Sequence, residues 1–239
     1  MSNSLIDHIA DLRKTLIHCI AAVIILYPAG FLFVPHCINL LVAWSFPVGM
    51  KLNYFSPMEV FILQLKLGGI ISFIITFPYI IWHISNFLLP ALYENERKVL
   101  KYVVFSSTFL FILGTAFCIG VMLPLIMRFS ASFASSQLQP MLGLSNFINF
   151  CSLLILAFGL MFQFPLLVIV AVKFDIITPE ALKNKRPYVI VLILILAAIF
   201  TPPDIISQLL LFMPTWILFE IGLLFASRIK NDKNISKKH

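Results

Sequence analysis

Charged side chains are scarce in this chain. They make up 11% of 239 residues, while 61% are apolar; soluble domains carry roughly 25% charged residues. That balance excludes a disordered chain, a disulfide-rich secreted scaffold and a water-soluble enzyme. Cys19, Cys37, Cys118 and Cys151 show no paired spacing and read as buried inert thiols, with a Cys37–Cys151 pairing left open. No GxxxxGK[ST] loop is present, so nucleotide hydrolysis by that mechanism is excluded. The absence of GxSxG and HExxH argues against an intramembrane protease. Matching halves with Gly/Pro-broken helices, common in secondary transporters, are also missing, as is any repeat of 20–50 residues. No cleavable leader is expected: Asp7 and Asp11 precede the first apolar run, and no small-x-small site follows it.

What is present is length without charge. Residues 15–50, 67–93, 102–127 and 129–172 contain no Asp, Glu, Lys or Arg, and each run exceeds the roughly 20 residues a helix needs to cross a bilayer. In 129–172 the serines, glutamines and Pro140 of the first part predict a loop before one span. In 15–50, Pro28, Gly30, Pro35 and Pro47 place one span at about 15–34 and an interfacial segment at 37–46. Two further apolar segments flank Thr201-Pro202-Pro203-Asp204. The expectation is an all-α polytopic protein, a single integral membrane domain over 1–239. Its six transmembrane helices fall at about 15–34, 67–92, 102–127, 147–172, 188–200 and 205–227. The fifth is short, about 20 Å at ~1.5 Å per residue.

The net charge of +7 could suit a nucleic-acid binder, but the basic residues sit in short clusters between uncharged runs, which argues for no nucleic acid. Fourteen of the seventeen Lys and Arg fall in the N-terminal tail, the second–third and fourth–fifth connections and the C-terminal tail; Lys51, Lys66 and Arg128 lie opposite. Basic loops stay cytoplasmic, so both termini are expected there.

Ser56-Pro57-Met58-Glu59 and Thr201-Pro202-Pro203-Asp204 fit a hydroxyl N-cap, proline at N1 and an acid at N3. Glu59 and Asp204 therefore read first as helix caps. Thr178-Pro179-Glu180 predicts a short helix before Arg186. His8, Asp11, Thr15 and His18 form a polar stripe beside the apolar stripe of Leu5, Ile9, Leu12 and Leu16. Asp11, Glu94 and Glu96 fall on the same predicted side and read first as solvated acids at the membrane surface; the other reading is a cluster that holds a cationic ligand, which suits a planar guanidinium better than an ammonium. Gln163 and Glu220 are polar groups within spans, about 24 Å and 27 Å from their outer ends; an intramembrane acid is a functional candidate by default, and Glu220 lies within reach of Arg228. His83 reads as a packed histidine, because no second ligand stands at helical spacing.

Taken in order, several motifs resemble the TatC family of the twin-arginine protein translocase. They are His8-Ile9-Ala10-Asp11-Leu12-Arg13-Lys14, Phe55-Ser56-Pro57-Met58-Glu59, Phe87-Leu88-Leu89-Pro90-Ala91-Leu92-Tyr93 with Glu94-Asn95-Glu96-Arg97, Phe158 to Pro165, Lys185-Arg186-Pro187-Tyr188, and Thr201-Pro202-Pro203-Asp204 with Ser207-Gln208. The resemblance implies a non-enzymatic bacterial inner-membrane receptor for Arg-Arg signal peptides. It would export folded proteins with single-span TatA- and TatB-like partners, as a homo-oligomer, driven by the proton motive force, with no cofactor or metal. By position it implies Glu96 as the main carboxylate for the signal arginines, Asp11 as the second, and Phe87 and Glu94 in the same patch. Pro47, Gln163, Thr201, Asp204, Gln208 and Glu220 become partner or translocation positions. Two departures stand out: Asp11 where the family usually has Glu, and Gln163 where Glu is common. The alternative from another class is a small proton-coupled secondary transporter with Glu220 as its relay.

Overall fold

A computed structural model describes residues 2–45, 52–88, 97–132, 142–174, 176–201 and 205–236. The elements are α1 (Ser2–Ser45), β1 (Leu52–Asn53), α2 (Pro57–Leu88), α3 (Arg97–Phe117), α4 (Leu123–Ala131), β2 (Leu142–Gly143), α5 (Leu144–Met161), α6 (Phe164–Lys173), α7 (Pro179–Asn184), α8 (Arg186–Phe200) and α9 (Ile205–Ser236). Among the described residues the fold is all-α apart from two residue pairs in parallel, Leu52 with Leu142 and Asn53 with Gly143. Among the described residues, five helical runs are long and apolar enough to cross a membrane: Ile9–Ser45, Pro57–Phe87, Lys101–Ala131, Leu144–Lys173 and Ile205–Arg228. α8, with 15 residues, spans about 22 Å and falls short of a ~30 Å hydrocarbon core.

Proline shapes these helices without ending them. α1 continues through Pro28 and Pro35 to Ser45, where the sequence suggested a span ending near residue 34 and an interfacial segment. In a lipid-facing segment, irregular backbone would leave several polar groups unsatisfied, whereas a proline within the helix frees only one or two. Continuity is therefore the cheaper solution. Between α3 and α4 the chain takes a π-helical turn over Cys118–Met122, closed by the Leu123 N–H donating to the Cys118 carbonyl. Pro124 follows directly; it has no N–H for the Gly120 carbonyl, and the widened turn makes room for its ring.

The chain forms two compact units, Met1–Phe109 with Ala131–Ser152, and Leu110–Ser130 with Leu153–His239. In the first, α1 and α2 pack antiparallel. A Cβ on Gly30 would lie 2.6 Å from the Gly68 carbonyl oxygen and still closer to the Ser72 hydroxyl, so only glycine permits this approach, the small-residue contact that membrane helices use in place of hydrophobic drive. The Ser72 hydroxyl lies 2.7 Å from the Gly68 carbonyl and 3.2 Å from that of Leu26, and Tyr27 Oη donates to the Leu65 carbonyl at 3.0 Å. At the other end of α2, the Met58 N–H donates to Ser56 Oγ at 3.3 Å, as the cap motif predicts. The Glu59 carboxylate accepts from the Phe55 N–H and from the Ser145 N–H, both at 3.0 Å, and so ties the start of α2 to the start of α5. Lys66 donates to Asn149 of α5 at 3.4 Å.

In the second unit, Phe111 and Phe158 are fully buried, with Phe117, Phe158 and Phe162 in mutual ring contact. A separate core gathers Val168 and Val172 of α6, Ile193 of α8, and Phe219, Leu223 and Ala226 of α9. The Thr178 hydroxyl accepts from the Ala181 N–H at 3.2 Å and starts α7 as its motif predicts.

Candidate functional site

Antiparallel packing brings Asp11, near the start of α1, to Phe87, near the end of α2. Residues 11, 14, 15 and 18 share one face of α1, and 83, 86 and 87 one face of α2, by the three-to-four-residue helical spacing. Together Asp11, Lys14, Thr15, His18, His83, Asn86 and Phe87 line a pocket of about 240 Å³. Directly beside it, Leu12, Leu16, Ile20 and Val23 of α1 face Phe73, Ile80 and Ile84 of α2 across a groove of about 560 Å³; Thr15 and Phe87 belong to both. A polar mouth carrying one carboxylate thus opens onto an apolar channel along the helix pair. Asp11 is exposed. Among the described residues the ion pairs are Arg186–Glu220 and Lys230–Glu180, so Asp11 is engaged in neither.

The two histidines of this mouth form a pair that the sequence does not show. His18 and His83 stack with ring centroids 5.4 Å apart and planes within 12°; His83 also meets the Tyr79 ring at 4.4 Å. Periodicity put His18 on the stripe of Asp11 and Thr15, but His83 was weighed only against neighbours on its own helix. The register between helices, which spacing does not report, creates the pair. Among the described residues no group of three or more His, Cys, Asp or Glu could hold a metal ion.

Glu94, Glu96, Pro47 and Asp204 lie outside the described residues. The other expected positions fall in the second unit. Gln163 sits at the break between α5 and α6, where Pro165 opens α6. Its N–H turns to the Leu160 carbonyl, and its side-chain amide donates to the Gly159 carbonyl at 3.4 Å. A buried Gln can make this donation, whereas a carboxylate could do so only when protonated. The Thr201 hydroxyl donates to the Ala197 carbonyl at 2.9 Å and closes α8; its reading as the N-cap of the next helix turns on residues 202–204, which lie outside the described residues. Gln208 donates to the Leu194 carbonyl at 3.0 Å, joining α9 to α8. Glu220 pairs with Arg186 at 2.7 Å, and not with Arg228 on its own helix, because the short α7–α8 turn brings the guanidinium across to α9.

The sequence and the fold both have known counterparts. The family model for Sec-independent protein translocase protein (TatC) matches residues 7–214. The chain is similar to the Sec-independent protein translocase protein TatC of Haemophilus influenzae, 33% identical over 243 residues covering 100% of this chain and 95% of the relative. It is likewise similar to that of Escherichia coli K12, 34% identical over 225 residues covering 93% and 87%. A solved structure described as a twin arginine translocase receptor, TatC, in DDM superposes with a TM-score of 0.84 at 31% identity, covering 92% of this chain and 99% of that one.

Proposed function

The chain belongs to the TatC family of Sec-independent protein translocase proteins, and from that premise we propose that its α1–α2 hairpin receives the Arg-Arg signal peptides of folded export substrates. The family assignment makes it a multi-pass inner-membrane translocase component, with a role in transport rather than catalysis. The single observation carrying the finer reading is the union of two surfaces at Thr15 and Phe87: the pocket holding Asp11 and the apolar groove behind it. A twin-arginine signal has the same order, a cationic pair followed by an apolar segment. Asp11, together with Glu94 and Glu96, takes the guanidinium groups by fork-to-carboxylate hydrogen bonds, a geometry that favours Arg over Lys. An exposed ion pair contributes only ~0–1 kcal/mol, so most of the affinity comes from apolar residues entering the groove, at roughly 25 cal/mol per Å² buried.

Both termini lie in the cytoplasm in this reading, and the acids face arriving substrate. Single-span TatA- and TatB-like partners, further copies of this chain and the proton motive force complete the transport step. Asp11→Ala combined with Glu96→Ala is expected to abolish signal-peptide crosslinking while leaving membrane insertion intact. Normal crosslinking by the double variant would defeat the assignment.

A further inference from the structure

The stacked histidines give the polar pocket a property that its carboxylate alone does not. His18 Nδ1 lies 2.7 Å from the Lys14 carbonyl oxygen. A carbonyl can only accept, so Nδ1 carries the hydrogen, and in the neutral ring Nε2 is left as an acceptor. His18 lines the same pocket as Asp11 and Asn86, which adds a neutral nitrogen acceptor and an amide oxygen to the carboxylate. A guanidinium offers five N–H donors in a plane and is matched best by several acceptors around it.

We propose that His18 is a ligand for an arginine side chain of the signal peptide, accepting at Nε2 only while its ring is neutral, so that acidification weakens binding. The proposal rests on the reading of this pocket as the arginine site. Protonation does two things at once: Nε2 turns from acceptor to donor, and a positive charge appears in a pocket meant for a cation. The other groups facing His18 set the direction. On α1 these are the Asp11 carboxylate and the Lys14 ammonium; on α2 they are His83, stacked on the ring, and Tyr79 beyond it. An arriving guanidinium brings its own positive charge to the pocket, so binding and a charged imidazole oppose each other.

Binding of a synthetic Arg-Arg signal peptide without acidic or histidine residues, measured on the detergent-solubilised full chain between pH 8 and 5.5, tests this. The wild type should lose affinity as the pH falls, with a limiting slope of about tenfold per pH unit when one proton must leave for each peptide bound. His18→Asn keeps an acceptor that does not titrate, so the affinity it shows at pH 8 should stay level to pH 5.5. His18→Phe keeps an aromatic ring against His83 but has no acceptor, and should bind weakly at every pH. A wild-type profile that is flat, or that His18→Asn reproduces, overturns the proposal, provided circular dichroism shows both variants folded. Failure of the underlying reading looks different: no peptide binding at pH 8, or binding at pH 8 unchanged by Asp11→Asn.

Discussion

Gly30→Ala is the smallest change that probes how the α1–α2 hairpin is held together. The added methyl carbon would lie 2.6 Å from the Gly68 carbonyl oxygen, where ordinary contact begins at 3.4 Å, so the two backbones must part by about 0.8 Å or tilt. The Ser72 hydroxyl lies nearer still and would be pushed away from the Leu26 carbonyl. Overpacking of this kind costs about 1–3 kcal/mol, and loss of an interhelical hydrogen bond within a membrane adds about 0.6 kcal/mol. A total near 2 kcal/mol corresponds to roughly a thirtyfold shift away from the packed hairpin. Gly120→Ala is the matched control, since a Cβ there meets nothing within 4 Å. Thermal midpoints of the two variants in detergent, followed by size exclusion, should separate them clearly: Gly30→Ala lowered by several degrees, Gly120→Ala unchanged. Because the groove walls are α1 and α2 themselves, Gly30→Ala should also weaken signal-peptide binding without touching the peptide. Equal midpoints for Gly30→Ala and wild type, or equal losses for both variants, would refute the steric account.

Glu59→Gln should destabilise the fold by about 1–2 kcal/mol, the scale of a lost charge-assisted cap, and amide hydrogen exchange should accelerate at Phe55 and Ser145, whose N–H groups it accepts. Gln163→Glu should be more stable in acid than in base. A carboxyl can donate to the Gly159 carbonyl only when protonated, so the hydrogen bond is lost once the group ionises; melting curves at pH 5 and 8 show the sign. Glu220→Gln should cost at most about 1 kcal/mol, as befits an ion pair with side chains 44% and 28% exposed. The charge swap Arg186→Glu with Glu220→Arg should recover the wild-type midpoint.

Much of the architecture could be read from absence of charge, because helices are the answer when 20 or more residues must leave water with their backbone groups paired. The Ser56 and Thr178 starts were legible for the same local reason: a hydroxyl followed by proline satisfies orphan N–H groups within four residues. Prolines misled at α1, where the surroundings of residues 28 and 35 matter more than their propensity. Thr201 carries a role its motif did not show, since its hydroxyl closes the helix before it. What spacing along one chain could not reveal is what two helices place side by side. The His18–His83 stack, the Arg186–Glu220 pair and the Glu59 tie to α5 all depend on inter-helix register. Asp11 was legible as a carboxylate on a polar stripe, but its position at the mouth of an apolar groove was not.

Contact between the arriving arginines and the hairpin mouth can be measured directly. A photo-crosslinking residue placed at Asn86, in inverted membrane vesicles, should capture a signal peptide through the residues flanking its arginine pair. Excess Arg-Arg peptide should abolish that product, while a Lys-Lys peptide should leave most of it. Capture through Asn86 that is absent, or that both peptides suppress equally, would contradict an arginine site between α1 and α2.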